Sequence, residues 1–518
     1  MKFSARKNAA ILLALAMLLP TLASCSESKV NEADEAENTP VQSSDVSAVN
    51  PEDVAEEEEV DPFADVNFDG RTFYIDTSIN SATVGVASSN YLIEGYEEMV
   101  GDQAPDAAFQ RNLDVMNRLN VALKYNETDI GFGDVASHFR TLISSGDSTY
   151  QLIVNDVYGL TPLTAEGLFY TVDDGKNFDF TQGWWYDDFM TDVSFDTSLR
   201  FFLAGDYFID QIRCTHCLIM NKDIYRDTIG DPNDVYNYVL EKTWTFDKFR
   251  EIIDQCYRDL NGNGVFDKND QYGHIANDWW GPNIAWIISG DPGFIDRDEN
   301  GLPLLAVNNE RSYELTEKLC GILHSDAAAV GLWDEQGTID AFTAGQALFI
   351  GYLRLGSLES EQIRSTDIDI AILPYPMLDE LSGDYMTATH DTAELGSIPS
   401  TVDPNDLDFI STVVEVLCRE TNKQVLPAYY ESSLKIKYTR DDTAAQMIDI
   451  IHDHYGNGFA LTWQSRLSGI LMQNTFSSCV ENNNTDFASK YKTLEKAANK
   501  LLAKYVDQFA ELKEERYS

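Results

Sequence analysis

Tyr150-Gln-Leu-Ile-Val-Asn155 is a short apolar run, entered from Gly146-Asp-Ser-Thr149 and left through Asp156 and Tyr158. It has the length and composition of a strand buried on both faces. The chain before it alternates in period. Arg71-Thr-Phe-Tyr-Ile-Asp76 reads as a strand, Asp106 to Leu119 as an amphipathic helix, Val121 to Tyr125 as a strand and Phe132 to Ser144 as a helix. After it, a helix is predicted near Pro162 to Gly167. Strand and helix in strict alternation predict a mostly parallel sheet with helices on both faces. In such sheets ligands sit beyond the carboxyl ends of the strands, where Asn155, Asp156 and Tyr158 fall.

Further on, Ser198 to Phe208 and Cys217 to Met220 read as strands, and Thr245 to Tyr257 as a helix with Thr245 as its N-cap. Ser312 to His324, Leu407 to Glu420, Ala444 to His454 and Phe487 to Leu512 read as helices, so the C-terminal region is helical. About 450 residues make up this globular part, more than the roughly 250 to 300 at which single cores stop growing, so two lobes are expected.

The first residues carry Lys2, Arg6 and Lys7, an apolar run from Ala9 to Leu19, and then Leu22-Ala23-Ser24-Cys25. A basic start, a short apolar core and small residues before a cleavage point make residues 1–24 an export signal, too short for a permanent span. The ending resembles the bacterial lipobox, which implies that Cys25 is lipidated and that the protein is anchored to the outer face of the cell membrane. An ordinary secretory signal with a chance Cys is the alternative. Residues 25–66 are rich in Glu, Asp, Ser, Asn and Ala, with Glu56 to Glu59 in one run. They read as a disordered, self-repelling spacer.

The formal charge is −49, and loss of the signal's three cations makes it −52. Nucleic acid is an unsuitable partner for such a chain, and a neutral ligand suits it better than an anionic one, although a local Arg overrides a distant field. Six cysteines follow Cys25 at scattered spacings that suggest no disulfide framework. Cys214-Thr-His-Cys217 admits three readings: a plain structural stretch, a disulfide with another Cys, or a metal site lacking its second ligand pair.

Asp259-Leu-Asn261-Gly-Asn263-Gly264-Val265-Phe266-Asp267-Lys-Asn269-Asp270 matches a calcium loop. Oxygen side chains stand at positions 1, 3, 5, 9 and 12, Gly at 6, and the Val265 carbonyl at 7. The predicted ligands of a structural Ca²⁺ are Asp259, Asn261, Asn263, Val265, Asp267 and Asp270. Asp270 replaces the bidentate Glu of an EF-hand, and only the entering helix is expected. An Asn/Gly surface turn is the bland alternative.

Several segments together resemble the extracellular solute-binding proteins of ABC importers, family 1, which includes maltose and alginate-oligosaccharide binders. They are Gly146 to Ile153, Ala165-Glu-Gly-Leu-Phe-Tyr-Thr-Val172, Leu218-Ile-Met-Asn221-Lys222-Asp223 and Lys242-Thr-Trp244-Thr-Phe-Asp247, followed by Ala341-Phe-Thr-Ala-Gly345 and Ile370-Ala-Ile-Leu-Pro374-Tyr-Pro376. Pro427-Ala-Tyr429-Tyr430 and Arg440 to Ile451 resemble the C-terminal segment of clostridial members.

The resemblance implies an α/β, two-lobed, periplasmic-binding-protein-like fold of class II. Lobe one would hold 68–205 and 343–398, and lobe two 206–342 and 399–518. The crossings would lie near Phe202 to Tyr207, Phe349 to Tyr352 and Gly396 to Ser400. It implies a monomeric receptor, without catalysis, that closes over a small solute and delivers it to an ABC permease. The solute would be a sugar, above all an oligosaccharide. A secreted glycoside hydrolase and a tethered sensor subunit of the same fold are the alternatives.

Sugar rings stack on aromatic faces and need polar partners at the rim. Trp184, Trp185, Trp279, Trp280, Trp286 and Trp463 are the candidates. By their position relative to maltose binders, Trp279 or Trp280, ahead of Gly290-Asp-Pro-Gly293, and Trp463 would line the cleft. Asp156 and Tyr158, with Tyr207 and Tyr352 near the crossings, complete the predicted ligand set. Each of these aromatics has a core position as its alternative.

Overall fold

The computed structural model describes residues 61–79, 88–97, 102–277, 281–430 and 442–517. Its strands are β1 (Arg71–Ser78), β2 (Val121–Thr128), β3 (Leu152–Asp156), β4 (Leu218–Asn221), β5 (Tyr272–Ala276), β6 (Ile295–Arg297), β7 (Pro303–Leu305), β8 (Ala328–Val330), β9 (Ala347–Ile350), β10 (Ile370–Leu373) and β11 (Glu394–Ser397). They form a sheet in the order β11-β3-β1-β2, a second in the order β10-β4-β9-β5-β8, and the hairpin β6-β7. In the first sheet β1 pairs parallel with β2 and β3, while β11 runs antiparallel to β3. In the second, β5 is parallel to β8 and β9, while β4 is antiparallel to β9 and β10. Both sheets are therefore mixed, the second evenly so. The antiparallel strands are those by which the chain enters and leaves a lobe.

The first sheet carries the predicted alternation. Helix α1 (Gln103–Leu119) ends where Asn120 takes a left-handed conformation and returns its N–H to the Met116 carbonyl. Helix α2 (Val135–Ser144) follows β2, and α3 (Val157–Thr164) follows β3 directly. The Asp156 carboxylate caps α3 by accepting the Gly159 N–H at 2.6 Å. Thr245 caps the helix Phe246–Ile253 as its sequence predicts, accepting from the Lys248 N–H.

Four expectations are corrected. Residues 343–390 do not belong with the first sheet, because β9 and β10 hydrogen-bond into the second and only β11 returns to the first. The C-terminal region is not confined to the second lobe. The helix Leu407–Glu420 covers the first sheet, with the Phe409 ring 4.8 Å from Phe68 and 5.6 Å from Phe73. Ser198 to Phe208 is not a strand. From Phe201 on it is buried and crosses between the sheets, so its apolar run reflects burial, and it makes only isolated bridges, Leu203 with Gly396 and Gly205 with Trp185. Phe349 to Tyr352 stays within the second lobe; Thr387 to Ala393 is the crossing that takes its place.

Behind the crossings a buried carboxylate joins the layers. Glu359 accepts from Arg213 at 2.9 and 3.0 Å, from the Tyr91 hydroxyl at 3.0 Å and from Tyr429 at 2.7 Å.

Candidate functional site

The strip Thr387 to Ala393 is shared by both lobes. On the second-lobe side the His216 N–H donates to the Ala388 carbonyl at 2.9 Å and the His390 N–H to that of Cys214 at 3.0 Å. On the first-lobe side the Tyr158 N–H donates to Asp391 and the Val157 N–H to Ala393, each at 3.0 Å. The carboxyl ends of the parallel strands meet this strip. β3 delivers Asp156 and Tyr158, and β9 runs on into Tyr352. β5 runs on into Asn277, which the register Ile275↔Ile350 sets abreast of Tyr352. His216 bridges Arg354, so those two side chains come from neighbouring strand extensions.

Polar side chains are concentrated here without protein partners to match. Arg354 is buried, and neither its Nε nor its Nη2 makes a well-formed hydrogen bond. The same holds for both amide atoms of Asn277 and Gln211, for Asn155 Nδ2, Gln464 Oε1 and Arg466 Nε. Neither ring nitrogen of His216 has a well-aligned partner, the Tyr352 backbone offering at most a weak one. Native interiors leave few such atoms, because each costs about 1–3 kcal/mol.

The rings and charges lie close together. His216 is 5.7 Å from His390 and 6.3 Å from Tyr352, ring centre to ring centre. The Arg354 guanidinium carbon is 5.9 Å from the Tyr352 ring. Tyr352 has φ +81°, a strained conformation for a side chain of this size, held by donation of its N–H to the Tyr375 hydroxyl at 2.9 Å. Burial pushes the Asp391 carboxyl up to about 6, with the Arg354 and Arg466 cations opposing the rise. Burial likewise raises Asp156 to about 7, against the opposing Gly159 N–H. Burial and the Arg354 charge hold His216 and His390 neutral. The junction therefore presents donors and acceptors interspersed, without a block of one charge.

Of the predicted ligand residues, the structure brings Asp156, Tyr158 and Tyr352 to this junction. Trp279 and Trp280 lie outside the described residues. Two predicted residues are corrected to the core. Trp463 is 1% exposed, enclosed by Phe195, Phe459, Tyr505 and Phe509, and its indole N–H donates to the Val193 carbonyl at 2.8 Å. No ring face is left for a ligand. Tyr207 is fully buried beside the Arg111 guanidinium. Trp184 and Trp185 both donate at 2.8 Å to the carboxylate of Glu415, and Trp286 packs edge-on against Phe246 and Tyr375.

Arg354, Asp391, Asn277, Gln211 and Arg466 carry no motif in the sequence, and His216 stands out only within Cys214-Thr-His-Cys217. Asn277 offers a further signal, since it follows directly on β5 as Asp156 ends β3. Cys214 and Cys217 are buried free thiols whose pKa burial raises, a structural stretch at the edge of the site.

Residues 259–270 fold into a closed turn. The Asp259 carboxylate accepts the N–H groups of Gly262 at 2.6 Å and Gly264 at 2.7 Å, and Asn263 donates its amide to Asp267 at 2.8 Å. Gly262 and Gly264 have φ +69° and +68°. The entering helix stops at Ile253, earlier than predicted, and Arg258 and Gln271 bridge antiparallel across the base, so the loop closes a hairpin. Asp270 is buried, with Oδ1 unpartnered. Among the described residues no three His, Cys, Asp or Glu side chains converge as a metal group, those of Asp259, Asp267 and Asp270 in this loop included.

No family model and no curated protein matches the sequence. Solved structures match over most of the chain. A cyclo/maltodextrin-binding protein complexed with maltotetraose is 8% identical, with TM-score 0.54 over 83% of this chain and 97% of that one. An ABC transporter solute-binding protein from Thermotoga lettingae, bound with α-D-tagatose, is 13% identical, with TM-score 0.52 over 84% and 100%. UgpB from Mycobacterium tuberculosis, in complex with glycerophosphocholine, is 15% identical, with TM-score 0.53 over 84% and 99%. The chain has the two-lobed fold of these solute-binding proteins. Among its described residues no helix is long and apolar enough to cross a membrane.

Proposed function

We propose that this protein is an extracytoplasmic solute receptor of family 1, without catalytic activity, that holds a carbohydrate between its lobes and delivers it to an ABC permease. The observation that carries this reading is the set of buried, unpartnered donors and acceptors on the segments that meet at the lobe junction. A hydroxyl both donates and accepts, so a polyol can supply partners to mixed groups such as Arg354, Asn277 and Gln211, which neither an apolar solute nor a cation does. Maltotetraose and α-D-tagatose, bound by two of the structural neighbours, support the same class. Lipid attachment through Cys25 would hold the receptor at the membrane, with the residues between Cys25 and Phe63 as its spacer, shorter than the predicted 25–66 because Phe63 and Val66 pack against the core, and the folded body acting as a monomer. The turn 259–270 would hold a structural Ca²⁺: its oxygen side chains stand at the calcium-loop spacing, and the buried, unpartnered Oδ1 of Asp270 would serve as one ligand oxygen.

Thermal unfolding against a panel of mono- and oligosaccharides tests the reading. A sugar at 100 times its dissociation constant stabilises by about 2.7 kcal/mol and is recovered unchanged. A panel in which no sugar moves the transition, or in which a sugar is cleaved, overturns it.

A further inference from the structure

The first-lobe wall of the junction does not end at Tyr158. The loop between β2 and α2 carries Phe132 between Gly131 and Gly133, at the same carboxyl edge of the sheet as Asp156. Phe132 is 64% exposed, and its ring stands edge-on to Tyr158 with centres 6.0 Å apart. A Cβ added at either glycine would meet nothing within 4 Å, so the backbone flanking Phe132 is open.

Tyr158 in turn is fixed by the site. Its N–H donates to Asp391, its carbonyl accepts from Arg466 Nη2 at 2.9 Å, and the Arg466 guanidinium carbon lies 4.9 Å from its ring. Arg466 Nε is buried and unpartnered beside it. Single exposed apolar side chains are ordinary. This one continues a graded wall: charged and buried at Asp391 and Arg466, amphipathic at Tyr158, apolar and open at Phe132.

We propose that Phe132, backed by Tyr158, is an outer stacking subsite for the second or a later ring of a saccharide chain, and that it sets the preference for chain length. A sugar ring has polar edges and an apolar C–H face. The inner ring would meet the unpartnered groups at the junction, and the next would lie over Phe132 where no polar side chain competes for it. This rests on the carbohydrate reading above and adds a residue and a length requirement to it.

The test is titration of the full-length protein and its Phe132→Ala, Phe132→Trp and Phe132→Leu variants with gluco-, cello-, xylo- and manno-oligosaccharides of one to three rings. In at least one series the parent should bind two or three rings more tightly than one. Phe132→Ala should weaken the longer members by on the order of 5- to 30-fold, leaving the monosaccharide and the unfolding temperature unchanged. Phe132→Trp should restore the longer-chain affinity, and Phe132→Leu, apolar but not flat, should not. A parent that binds one ring as tightly as three, or an alanine variant that binds every length as the parent does, overturns the subsite and leaves the carbohydrate reading standing. If no sugar of any length binds, the carbohydrate reading fails and the subsite with it.

Discussion

Replacing Arg354 by Met should make the protein more stable and a poorer receptor. Arg354 is buried with two N–H groups unpartnered, and the nearby carboxyl of Asp391 makes no hydrogen bond to it. Exchanging such a cation for an apolar side chain of similar length is neutral to stabilising by about 1–4 kcal/mol. With roughly 2.1 cal/mol/K of unfolding entropy per residue over some 450 residues, that is a rise of about 1–4 °C in Tm. Loss of hydrogen bonds from a charged donor to the solute costs about 1.5–3 kcal/mol, a roughly 10- to 150-fold weaker Kd. The gain in Tm should be larger at pH 5.5 than at pH 8. Without Arg354 the Asp391 carboxyl rises further above about 6, and only above its pKa does it leave a buried negative charge. Calorimetric unfolding with and without the best sugar, at both pH values, measures all three quantities. If Arg354→Met lowers Tm by several degrees while the sugar still binds, the guanidinium is a structural brace and the site is elsewhere.

Asp156 binds its proton more tightly folded than unfolded, with a pKa near 7 against an ordinary value near 4, so its contribution is present at pH 4 and lost as pH rises to 7. Asp156→Asn, which keeps an oxygen for the Gly159 N–H, should flatten that slope by up to a few kcal/mol in urea titrations across this range; an unchanged slope refutes the assignment. Chelation should lower the Tm of the parent and not that of Asp259→Ala, and a purified protein without bound calcium that ignores chelator excludes the loop as a site. Trp463→Ala should cost about 3–5 kcal/mol of stability through its cavity and the orphaned Val193 carbonyl, while the folded fraction binds sugar as the parent does; lost affinity at unchanged stability would return Trp463 to the cleft.

The fold was legible wherever local chemistry and tertiary fate agree. β1, α1, β2, α2 and β3 fall within a few residues of their predicted positions, because one-sided helices and short buried strands carry their periods openly. The Thr245 cap was legible for the same reason: its partner is three residues away. Sheet membership was not. Ala347–Ile350 and Ile370–Leu373 read as strands equally well in either sheet, and their pairing with β4 is a fact of register across more than a hundred residues.

The site shows a sharper limit, and its cause is physical. Tryptophan is the residue that first suggests a sugar platform, yet a large ring serves a core as well as a cleft. Trp463 buries both faces against Phe195, Phe459, Tyr505 and Phe509. What distinguishes a binding residue is the opposite property, a polar group placed where nothing in the protein answers it. Arg354 resembles any arginine in sequence, and so does Arg213. Arg213 is just as buried, but it is answered twice over by Glu359 and by Asp210 at 2.9 Å. The two differ only in what the fold sets beside them. One is a brace between layers, and the other, on the proposed reading, is half of an interaction whose second half the solute supplies.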